Sequence, residues 1–114
     1  MEEELLKNID EFLYSGNDNL EKRRYNAAVS AAVSDFFKAV VVSYDFLLYK
    51  NTKIIPKNHN DRFSLLRKYF SGIYEKVSEL FKLYTRSYNL RLEKKDAIKL
   101  RNYANELRNK INKE

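Results

Sequence analysis

The sequence has no cysteine and no tryptophan, one proline, two glycines and one histidine in 114 residues. Each scarcity closes a route. Without cysteine there are no disulfides and no thiolate metal ligands. A single histidine, with carboxylates that show no clustered spacing, leaves no metal constellation. Two isolated glycines make no glycine-rich phosphate loop. So few glycines and prolines also starve a β-sandwich or barrel of turns. Long apolar runs are missing too: Phe36 to Tyr49 is interrupted by Lys38, Ser43 and Asp45. It falls short of the about 20 apolar residues that cross a bilayer. The start, MEEELLKNIDEF, is acidic and amphipathic and does not have the pattern of a secretory signal. No cofactor, metal or membrane contact is expected, and a cytoplasmic location is.

What is present is helical pattern. The stretch Tyr25 to Lys50 holds no glycine or proline and is long enough for about seven helical turns. Ala27, Ala28, Ala31 and Ala32 fill its first half; Phe36, Phe37, Val40, Val41, Phe46, Leu47 and Leu48 fill its second. A helix this apolar around most of its circumference needs neighbours on several sides. The alanines admit a close helix, because small side chains shorten the interaxial distance. The sequence therefore predicts a single all-α domain over residues 1–114. It is an up-and-down bundle of four to five helices around a central apolar helix at about 25–50. Asp35 and Asp45 interrupt that helix and are expected on its narrow exposed edge, since burying a lone carboxylate costs several kcal/mol. Pairing with an arginine opposite is the alternative.

The other helices show narrower stripes. Leu5, Leu6, Ile9, Phe12 and Leu13 recur at helical spacing near the start. Ser15-Gly16-Asn17-Asp18 reads as a weak point or turn, yet Leu20 and Tyr25 continue the phase, and a helix continuous to about Arg23 is preferred. Asn51 is a candidate C-cap before a loop containing Pro56. Asn58, Asn60 and Asp61 mark a helix start, followed by Phe63, Leu66 and Phe70, with a break at Ser71-Gly72. A fourth helix from about Ile73 to Tyr88 carries Ile73, Val77, Leu80, Phe81, Tyr84 and Tyr88. In the last helix Ala97, Leu100, Ala104, Leu107 and Ile111 form a single seam. No repeat or low-complexity segment is seen.

The net charge is +6 with a pI near 9.4, unevenly spread. The chain is acidic up to Glu21 and basic from Arg86 onward. A basic face for RNA is one reading; an ordinary solvated helix surface is the favoured one. Five residues stand out as nucleotide- or RNA-binding candidates: Arg86, Tyr88, Arg91, His59 and Arg62. Arg grips phosphate with a forked donor set and Tyr stacks on bases. His59 is the one side chain that titrates near neutrality, beside a helix start. Its plainer reading is a capping and packing residue; the functional one is a cleft-lining group with Asp61 or Arg62. No catalytic residue is assigned.

Three segments, taken in order, resemble the HEPN superfamily of small helical bundles, found beside minimal nucleotidyltransferases and in RNA-targeting defence and toxin–antitoxin proteins. RRYNAAVSAAVSDFFKA is similar to that family's opening of its second helix. Pro56-Lys57-Asn58-His59 looks like the segment before its third. Leu83-Tyr84-Thr85-Arg86-Ser87-Tyr88 looks like part of its fourth. Ribonuclease members carry an Arg followed four to six residues later by a His. Arg86 is the best match to that Arg, but Arg91, Leu92 and Glu93 stand where the His would be. Arg101 meets Glu106, Leu107 and Arg108. The resemblance thus implies a bundle without the usual ribonuclease acid–base pair. Such a bundle would dimerise or dock on a nucleotidyltransferase partner, with nucleotide or RNA as a further ligand. A general RNA- or DNA-binding helical module and a diverged ribonuclease using Arg86 and His59 are the alternatives.

Overall fold

The computed structural model describes residues 1–22, 26–86 and 92–113. They form five helices and no strand: α1 (Glu2–Lys22), α2 (Asn26–Thr52), α3 (His59–Tyr69), α4 (Ser71–Arg86) and α5 (Lys94–Asn112). None is long and apolar enough to cross a membrane. The architecture is the all-α bundle that the residue pattern predicts. α2 lies at its centre and packs against each of the other four helices. Phe36, Phe37, Val40, Tyr44 and Leu48 of α2 are almost wholly buried.

α1 runs unbroken through Ser15-Gly16-Asn17-Asp18. Packing explains why turn-forming residues sit in a helix. Ser15 Oγ (2.7 Å) and Asn19 Nδ2 (3.0 Å) both donate to Asp35 Oδ2 on α2. Between them Gly16 is buried against the Phe36 ring, where a β-carbon would lie only 2.6 Å from a ring atom. Asp35 is thus half-buried and clasped by two neutral donors, rather than set on an open edge. α2 ends at Thr52, one residue beyond Asn51. Asn51 and Thr52 bond back to the Leu47 and Leu48 carbonyls, and Lys53 takes the left-handed conformation at φ 62°. Asn58 caps α3, accepting from the Asp61 N–H at 2.8 Å. The break between α3 and α4 falls at Phe70, and Ser71 and Gly72 open α4.

The five buried residues of α5 are those of the expected seam. α5 also answers the uneven charge. Arg108 Nε is 2.8 Å from Asp10 and Arg101 is 3.6 Å from Glu21, so basic α5 is laid along acidic α1 within one chain. A second polar tie joins α5 to α2, where the Tyr44 and Tyr103 hydroxyls share a hydrogen bond. Burial is the main cause that raises both phenol pKa values above the usual tyrosine value.

Candidate functional site

The buried charged residues, Asp45 and Arg62, meet where α3 packs on α2. Asp45, expected on an exposed edge, is buried because Arg62 of α3 stands opposite it. Arg62 Nε donates to Oδ1 at 2.7 Å and Nη2 to Oδ2 at 2.9 Å. Two parallel donors on two oxygens require a carboxylate with both oxygens accepting. Burial raises the pKa of Asp45, and the Arg62 hydrogen bonds and charge oppose that rise. The third arm of the guanidinium completes the cluster: Arg62 Nη1 lies 3.0 Å from His59 Nδ1. Guanidinium nitrogens only donate, so Nδ1 is the acceptor and the imidazole proton sits on Nε2. The helix start at Asn58 makes this geometry. It places His59 and Arg62 three residues apart on the inner face of the first turn of α3.

The His59 ring is packed among aromatics, with the centroid of Phe81 at 5.1 Å and those of Phe37 and Phe63 at 6.2 Å. Desolvation lowers its pKa below the usual value, the Arg62 charge lowers it further, and Asp45 pulls back. The consequence for stability has a definite sign. The unfolded chain takes up this proton near pH about 6.5, before the folded chain does. Stability from this group is therefore present above that pH and lost as pH falls through it towards the folded value. Thermal unfolding between about pH 7.5 and 5.5 should show the wild type losing stability more steeply than His59→Gln. Equal slopes would contradict the assignment.

The five candidate residues are not gathered at one place. Arg62 is only 9% exposed, and its fork is occupied by Asp45. His59 lines a hollow of about 210 Å³ together with Phe12, Phe37, Lys38, Val42 and Tyr84. Arg86 is exposed on a different hollow between α4 and α5, shared with Lys82, Lys99, Glu79 and Asp96. Cations and carboxylates alternate there, and Lys99 is 3.8 Å from Glu79. Tyr88 and Arg91 lie outside the described residues, as does part of the segment that opens the second helix. Tyr84 stacks on Phe37 at 4.5 Å with an interplanar angle of 11°, the packing role its stripe predicts. Among the described residues no group of three or more His, Cys, Asp or Glu is placed to hold a metal ion. The sequence reading leaves Lys38 out of the candidate residues, and it names Asp45 only as a carboxylate that an arginine opposite could pair with, which is the arrangement found. Asp45 carried a signal, since a carboxylate inside an apolar run demands a partner; exposed Lys38 carried none. Compared with known proteins, the chain matches no family model, no curated protein and no solved structure.

Proposed function

We propose that this chain is a non-catalytic, HEPN-like helical bundle whose work is association, as a homodimer or docked on a nucleotidyltransferase. One observation carries the reading. The only near-neutral titrating side chain spends its free lone pair on Arg62, and Arg62 is spent on Asp45. A histidine held this way orients a helix and does not shuttle protons. Arg86, the counterpart of the ribonuclease arginine by resemblance, sits on a separate hollow from His59. That separation weighs against a diverged ribonuclease built on the two. Association itself rests on the family resemblance; Tyr14 on α1, 72% exposed, and Ile54 and Ile55 in the loop after α2 are among the large apolar side chains open to a partner.

A second reading, nucleic-acid binding through the basic last third, rests on Lys82, Arg86 and Lys99 meeting between α4 and α5. It is the weaker one, because Glu79 and Asp96 share that hollow and Arg101 and Arg108 are paired with α1. Size-exclusion chromatography with light scattering separates the readings. Association predicts a mass near twice 13.6 kDa, or a stable complex with a nucleotidyltransferase encoded beside the chain. A strict monomer that ignores such a partner would overturn it, as would RNA cleavage abolished by Arg86→Ala. Salt-sensitive binding of random oligonucleotides by that monomer would install the second reading.

A further inference from the structure

The hollow beside His59 is lined mainly by apolar side chains. α2 forms its base with Phe37, Val41 and Val42; Phe12 of α1 and Tyr84 of α4 complete the apolar lining. No carboxylate lines it. The two remaining groups, Lys38 and His59, are both donors. The Lys38 ammonium is exposed, lies 5.8 Å from the centre of the Phe12 ring and has no carboxylate partner among the described residues. His59, with Nδ1 accepting from Arg62, offers the N–H of Nε2 on the ring edge remote from the guanidinium. The volume of about 210 Å³ exceeds the roughly 150 Å³ that takes one benzene ring, leaving room for one small substituent.

We propose that this hollow binds a small aromatic carboxylate. Its ring packs on the stacked Phe37–Tyr84 pair and against Phe12 and Val42. Its carboxylate accepts hydrogen bonds from Lys38 Nζ and His59 Nε2. An apolar ring recovers the hydrophobic gain of leaving water, and the anion meets donors with no competing acid. A cationic analogue of the same shape would face Lys38 with no counter-charge. The proposal does not depend on the association reading, since the hollow is formed within a single chain.

Phenylacetate is the probe, with phenethylamine as its cationic counterpart and acetate as the anion without a ring. Each is titrated into ¹⁵N-labelled full chain and followed by amide shifts. Phenylacetate should give saturable shifts centred on Phe37, Val41, Val42 and Tyr84, and the other two probes should not. Lys38→Gln, at an exposed position that leaves the core intact, should weaken phenylacetate binding about tenfold, the worth of one charge-assisted hydrogen bond. Val42→Phe, which fills the hollow, should abolish the shifts. Equal responses to phenylacetate and phenethylamine would overturn the proposal. So would Lys38→Gln binding as tightly as wild type, or no saturable response at millimolar phenylacetate.

Discussion

Replacing Arg62 with alanine is expected to cost about 3–5 kcal/mol of unfolding free energy, measured by urea denaturation. The loss is not that of a surface ion pair, worth about 1 kcal/mol or less. Asp45 lies in the core against α3, and both its oxygens are satisfied by Arg62. Removing the guanidinium leaves a buried carboxylate with no counter-charge and empties the space that the Arg62 side chain fills. Domains of this kind have about 5–15 kcal/mol to lose, so the variant should be close to unfolding at ambient temperature. The double replacement Asp45→Leu with Arg62→Met makes the origin of the loss testable. It removes both charges and keeps apolar volume, and such swaps are often neutral or stabilising. Most of the stability should return. A loss under about 1 kcal/mol for Arg62→Ala alone would mean that the pair is solvated and the account of α3 docking is wrong.

The second large effect is one of sign. Helix propensity says that replacing a helical glycine by alanine stabilises by about 0.5–1 kcal/mol. At Gly72, in the first turn of α4, the change should be neutral to slightly stabilising, because nothing lies within 4 Å of the new β-carbon. At Gly16 the same change should destabilise, by about 1–2 kcal/mol net, since overpacking a filled core costs about 1–3 kcal/mol and outweighs propensity. The new β-carbon would lie 2.6–2.8 Å from three atoms of the Phe36 ring. Phe36 is fully buried, so any shift of its ring has to be passed on to its neighbours in the core. Phe36→Leu alone should destabilise, and Gly16→Ala should cost less in its presence than in the wild type. Thermal melts of the five chains, wild type included, read all of this. Stabilisation by Gly16→Ala would show that α1 and α2 are further apart than the structure places them.

These two sites also show where sequence reasoning works and where it fails. Stripes of apolar residues fold as read: the α5 seam, the α4 stripe from Ile73 to Tyr84 and the crowded α2 are legible because burial follows the helical period. Helix starts are legible where a side chain caps its own backbone, as Asn58 does. At Ser15-Gly16-Asn17 local preference and tertiary demand point opposite ways, and the continuing apolar phase, which predicts an unbroken helix, is what the structure follows. The residues that favour a turn in isolation are here a donor, a gap and a spacer facing Asp35 and Phe36 of another helix. Asp45 does mislead, because the local pattern favours an exposed edge over the pairing with an arginine that the structure shows. Its partner is 17 residues away, across a loop, and no local pattern announces it. The candidate site was legible only as residue types. His59 and Arg62 were recognisable, but which neighbour each would meet depends on how α3 lands on α2.

The account turns on His59 being committed to Arg62 as an uncharged acceptor. Long-range ¹H–¹⁵N correlation spectra of the imidazole test that directly, and the chain's single histidine makes the signals unambiguous. At neutral pH the account predicts a neutral ring with its proton on Nε2 and a bare Nδ1, titrating below the ordinary histidine value. A proton on Nδ1, or a ring already cationic at neutral pH, would contradict it.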